Sequence, residues 1–164
     1  MSLQSPFKNS LIGIPQKKDA YIVIVTTEWN ETILNELEKG CTDVLNEYQR
    51  QYKIIKVPGA FEISFAIKHY WNKCSSLGIP TPEAFIALGC VLRGDTPHFD
   101  YVCKAVTDGL LKLNLNLPVP SIFGVLTVDN EQQALDRIGG AHGHKGEEAA
   151  LTALKMISLF DSME

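Results

Sequence analysis

The chain has 164 residues, 45% of them hydrophobic and 21% charged, which fits one ordinary globular domain and excludes disorder. A formal net charge of −4 leaves no concentrated basic face for a nucleic acid. The apolar runs are too short to span a bilayer and no signal region stands at the N-terminus, so a cytoplasmic location is expected.

Residues 1–19 mix Pro6, Gly13, Pro15 and lysines without period and read as an N-terminal arm. Tyr21-Ile22-Val23-Ile24-Val25-Thr26 is a β-branched run typical of a strand buried on both faces. Ile33, Leu37, Cys41, Val44 and Tyr48 recur at helical spacing and predict a helix over 31–51. Residues 52–57 read as a second strand, closed by Pro58-Gly59. Ile63, Ala66, Ile67, Tyr70, Trp71 and Cys74 trace a second helix that ends near Gly78. A third buried strand covers 84–91, and Phe99, Val102, Val106, Leu110, Leu113 and Leu117 mark a third helix. A fourth strand spans 121–126. Asp129 with Gln132 resembles a capping box opening a short helix to about Ile138. Beyond a Gly/His loop, the last helix shows an apolar face of Ala150, Ala153, Leu154, Ile157 and Phe160.

This alternation predicts an α/β fold: a four-stranded parallel sheet between two helical layers, a three-layer α/β/α sandwich formed as one domain over residues 1–164. Such sheets bind ligands at the carboxyl ends of their strands. The loops that matter are therefore 27–30, 58–62, 92–98 and 127–130.

In the third loop, Arg93-Gly94-Asp95-Thr96-Pro97-His98, Thr96 suits a helix N-cap and Pro97 the first helical position. Free N–H groups and the positive end of the helix dipole make an anion site there. His98 lies in that first turn, placed to take up a proton near neutrality. A capped helix with a solvent-facing histidine is an equal reading. Trp29 and Asn30 follow the first strand, where an exposed indole stacks on a flat heterocycle or else closes the top of the core. Ala60, Phe61 and Glu62 start the second helix, offering main-chain donors and one carboxylate.

The chain has three arginines. Arg50 reads as a solvated surface residue, and Arg137 precedes a glycine-rich turn with the planar fork that suits a phosphate, although a surface salt bridge is the commoner use of such a residue. His142 and His144 lack a carboxylate or thiol at matching spacing, so no metal site is expected. Cys41, Cys74, Cys90 and Cys103 lie far apart and read as buried thiols in a reducing compartment.

Taken together, these loops resemble the lumazine synthase family over roughly residues 20–159. The resemblance is carried by Trp29-Asn30, by Val57-Pro58-Gly59-Ala60-Phe61-Glu62, and by the run from Gly89 to Tyr101. It continues through Val119 to Thr127 and through Glu131 to Arg137. It implies a flavodoxin-like, homo-oligomeric enzyme of riboflavin biosynthesis. That enzyme condenses 5-amino-6-(D-ribitylamino)uracil with 3,4-dihydroxy-2-butanone 4-phosphate into 6,7-dimethyl-8-ribityllumazine, phosphate and water, with no cofactor.

Residue by residue, the resemblance implies that Trp29, with Asn30 beside it, stacks on the pyrimidine, and that Ala60, Phe61 and Glu62 hold the ribityl chain. Cys90, Val91 and Leu92 contact the ring edge through main-chain groups, Asp95 and Thr96 hold the phosphate, and His98 shuttles protons. Phe123, Arg137 and Lys145 arrive from a neighbouring subunit. Glu28 stands where many relatives have Arg, and the loop 139–146 departs from the version seen in capsid-forming members. A homopentamer is expected over a sixty-subunit shell. Two other readings use the same scaffold: a non-catalytic flavin- or lumazine-binding module, and a flavodoxin-like electron carrier.

Overall fold

In the computed structural model, which describes residues 21–163, four strands make one parallel sheet; the expected arm at 1–19 lies outside the described residues. The strands are β1 (Tyr21–Thr27), β2 (Gln51–Val57), β3 (Ala84–Leu92) and β4 (Ser121–Val128), in the spatial order β2-β1-β3-β4. The helices are α1 (Glu31–Glu47), α2 (Ile63–Leu77), α3 (His98–Asn116), α4 (Glu131–Leu135) and α5 (Lys145–Asp161).

Alternation along β1 explains the two layers. Ile22 and Ile24 pack with Leu37, Cys41, Ala150 and Leu154 of α1 and α5 on one face. Val23 and Val25 pack with Ile63, Ile67, Val106 and Leu110 of α2 and α3 on the other. A central parallel strand that must satisfy both layers has no polar face to spare, which is why it reads as a continuous apolar run. The result is the expected α/β/α sandwich with flavodoxin-like strand order.

The last helical layer depends on a close approach. A Cβ added at Gly146 of α5 would stand 2.0 Å from the Leu37 carbonyl oxygen of α1. One at Gly40 would meet the His144 ring at 2.1 Å.

Several boundaries differ from the sequence reading. The first helix stops at Glu47 rather than running to 51, because Gln49 turns into the left-handed region (φ 53°) and Gln51 already pairs with Tyr21. Arg50 is not solvated: it is 5% exposed, and burial lowers its pKa while the carboxylates of Glu83 and Asp161 oppose that shift. The short helix is capped by Asn130, whose side chain accepts from the Gln133 N–H at 2.9 Å, one residue later than the Asp129 box. It ends at Leu135, and Ile138 belongs to a small antiparallel hairpin of β5 (Ile138–Gly140) and β6 (Gly143–His144). Phe160 is exposed rather than on the buried face of α5.

Candidate active site

At the carboxyl ends of β1, β2 and β3, each loop is fastened to the next. The Glu28 N–H donates to the Val57 carbonyl at 3.0 Å, joining the first loop to the second. Asn30 adopts the left-handed conformation (φ 58°, ψ 50°) that asparagine tolerates better than most residues, and its side-chain amide donates to the Cys90 carbonyl at 3.0 Å. One residue type thus makes the turn and ties the first loop to the third strand.

Gly59 leaves a gap that other groups border. A Cβ there would lie 3.2 Å from a Glu62 carboxylate oxygen and 3.7 Å from the Trp29 ring. The indole of Trp29 and the carboxylate of Glu62 therefore border the same space over Gly59. Trp29 is 72% exposed and Phe61 65% exposed, so Trp29 does not close the top of the core. Large apolar side chains left exposed in this way are the kind of surface at which ligands or partners bind. Ala60 to Glu62 form a 3-10 turn leading straight into α2.

The third strand ends in Cys90, Val91 and Leu92, buried, half-buried and exposed in turn. Burial pushes the Cys90 thiol up to about 11 and the Cys41 thiol up to about 12, so neither is a thiolate nucleophile near neutrality. The Cys90 carbonyl is the group that accepts from the Asn30 amide. All four cysteines are free, three of them buried and Cys103 half-buried.

Beyond the strand, Gly94 faces open space, and Asp95, Thr96 and His98 are exposed at the start of α3. The cap differs slightly from the sequence reading. Pro97 occupies the cap position and His98 is the first helical residue, while the Thr96 hydroxyl accepts from the His98 N–H at a long 3.4 Å. The positive end of the α3 dipole still points into this loop.

A second group gathers elsewhere. Phe123, Arg137 and Lys145 line one cleft of about 550 Å³ with Thr127 and Glu148, along the outer side of β4. That strand is one of the two edges of the sheet, and Phe123 on it is 45% exposed. The Arg137 guanidinium donates to the Gln133 carbonyl at 2.7 Å, and its own carbonyl accepts from the Lys145 N–H at 2.8 Å. Lys145 pairs with Glu148 at 2.6 Å. Three strand spacings, about 14 Å, separate β2 from β4. The structure thus brings Trp29, Asn30, Ala60, Phe61, Glu62, Cys90, Asp95, Thr96 and His98 to one end of the sheet. It places Phe123, Arg137 and Lys145 on a different flank.

His144 is a helix cap rather than a ligand: its Nδ1 accepts from the Glu147 N–H at 3.4 Å. Among the described residues, no group of three His, Cys, Asp or Glu is placed to hold a metal ion. None of the described helices is long and apolar enough to cross a membrane.

Sequence reasoning gave no role to Arg93. Its Nε donates to Asp129 at 2.7 Å, its Nη1 to Asp100 at 3.4 Å, and its guanidinium sits 4.0 Å from the Phe99 ring centroid. The only sequence signal was the scarcity of arginine itself.

Comparison with known proteins agrees with this geometry. A family model described as 6,7-dimethyl-8-ribityllumazine synthase matches residues 19–161. The 6,7-dimethyl-8-ribityllumazine synthase of Parabacteroides distasonis is 44% identical over 149 residues, 89% of each chain. That of Porphyromonas gingivalis is 46% identical over 150 residues, 90% of this chain and 89% of the other. With a family model matched over residues 19–161 and two relatives 44% and 46% identical over about nine-tenths of both chains, the chain belongs to the 6,7-dimethyl-8-ribityllumazine synthase family.

Proposed function

We propose that this protein is a cofactor-free transferase of riboflavin biosynthesis. It condenses 5-amino-6-(D-ribitylamino)uracil with 3,4-dihydroxy-2-butanone 4-phosphate to 6,7-dimethyl-8-ribityllumazine, phosphate and water. The observation that carries this is the exposed Trp29 indole beside Glu62, at the same end of the sheet as the loop that leads into α3. A flat ring and a phosphate fit side by side there.

The 5-amino group attacks the ketone and loses water to give an imine, loss of the C3 proton expels phosphate to leave an enol that ketonises, and the ribityl-bearing nitrogen closes onto that carbonyl with loss of a second water. Trp29, with Asn30 holding its loop, stacks on the pyrimidine. Ala60, Phe61 and Glu62 hold the ribityl chain, and main-chain groups of Cys90, Val91 and Leu92 meet the ring edge. Asp95 and Thr96 seat the phosphate in the field of the α3 amino end. His98 carries protons between the amine, the imine and the leaving phosphate oxygen. Holding both substrates in register supplies much of the rate, up to about 7–11 kcal/mol of barrier in favourable cases.

Phe123, Arg137 and Lys145 complete the site of an adjoining copy, with Arg137 on the phosphate and Phe123 beside the ring. Their separate cleft on an open sheet edge supports this arrangement. The assembly is a homopentamer rather than a sixty-subunit shell, as the divergent loop 139–146 favours, and it works in the cytoplasm, where free thiols persist.

The test is to mix the purified full chain with both substrates and follow lumazine fluorescence together with phosphate release. Stoichiometric product and phosphate are expected. Binding of the lumazine without turnover at micromolar enzyme would overturn the reading in favour of a binding module.

A further inference from the structure

Arg93 joins two parts of the molecule that the proposed mechanism assigns to two different active sites. It follows β3 directly and precedes Gly94-Asp95-Thr96, the segment that seats the phosphate in its own protomer. Its backbone N–H donates to the Val128 carbonyl at 2.9 Å, and its Nε donates to the Asp129 carboxylate at 2.7 Å. Asp129 is in turn the doorway to α4: its N–H donates to the Gln133 side chain at 2.9 Å. The Gln133 carbonyl then accepts from the Arg137 guanidinium at 2.7 Å. An unbroken series of contacts therefore runs from the phosphate loop through Arg93, Asp129 and Gln133 to Arg137.

We infer that Arg93 is a positioning residue, which with Asp129 sets the phosphate loop of one site and the Arg137 donated to the neighbouring site in a single rigid frame. This rests on the proposed function, in which Arg137 acts in the adjoining protomer. Arg93 is not itself a phosphate ligand here, because two carboxylates and the Phe99 ring already occupy its planar fork. The hydrogen bond from Arg93 also holds the Asp129 carboxyl below the usual carboxylate range, so the pair stays charged through neutral pH and is lost only as acid protonates Asp129.

The experiment compares Arg93→Gln, Asp129→Asn, the double variant and Arg93→Lys. It measures kcat, both KM values and the Kd for inorganic phosphate, with thermal melting and light scattering confirming folded assemblies. Arg93→Gln and Asp129→Asn are each expected to weaken phosphate binding and raise the KM for the phosphate sugar about two- to fivefold, the range open to an exposed ion pair, with the pyrimidine KM unchanged. The double variant is expected to lose no more than either single one, because both remove the same link. Arg93→Lys is expected to recover part of the loss. Additive losses, equal changes in both KM values, or loss on Arg93→Gln with none on Asp129→Asn would overturn the inference; the last would make Arg93 a direct ligand. Absence of turnover in the parent protein would instead refute the proposed reaction, while the phosphate Kd would still judge the Arg93–Asp129 link.

Discussion

Trp29 carries more of the functional reading than any other single side chain. An indole 72% exposed next to a carboxylate and a glycine gap is a poor element of a lone folded chain and a good platform for a flat ring. Trp29→Ala is expected to raise the pyrimidine KM about tenfold or more, since base–aromatic stacking is worth about 1–3 kcal/mol, while the phosphate-sugar KM moves little. Steady-state kinetics with each substrate varied in turn checks this, and equal losses for both would contradict stacking. At this scale the sequence was legible in where residues stand: Trp29, Glu62 and His98 lie at the strand-to-helix turns where their motifs put them. It was not legible for Arg50, whose charged surroundings along the chain hide a burial produced by a distant strand lead-in and the last helix. Arg93 was equally opaque, since Asp129 lies 36 positions away and only the β3–β4 pairing brings the two together.

Among the elements, α1 and α5 show how far small residues set geometry. The Gly146 backbone approaches the Leu37 carbonyl so closely that any side chain must push the two helices apart. Gly146→Ala is expected to cost about 3 kcal/mol, the upper end for overpacking because the obstacle is backbone, and to lower Tm by about 6 °C or more. Calorimetry checks this, and an unchanged Tm would mean the helices have room to yield. Strands β1, β3 and β4 were readable as apolar runs, and β2, with Lys53 and Lys56 among its apolar residues, from the Pro58-Gly59 that closes it. The end of α1 was not, for Asn46 to Gln51 contain no Gly or Pro, and pairing of Gln51 with Tyr21 rather than local preference ends the helix. The β5–β6 hairpin also escaped notice, since three residues and two residues make too little pattern to see.

Taken whole, the molecule is a parallel sheet with β2 and β4 at its two edges and with the loops 27–30, 58–62 and 92–98 at the carboxyl ends of β1, β2 and β3. Phe123, Arg137 and Lys145 line a cleft along the β4 edge, on a different flank from Trp29 and Glu62. A closed ring of copies, each lending this flank to the next, satisfies both features at once and follows the rule that oligomers close by symmetry. The most direct check is subunit complementation. His98→Ala and Arg137→Ala proteins, each inactive alone, are co-assembled in equal amounts and assayed for lumazine formation. Sites shared between copies predict recovery of about a quarter of the parental rate, because random neighbours restore that fraction of intact pairs. Co-assembled oligomers that remain as inactive as their components would contradict the account.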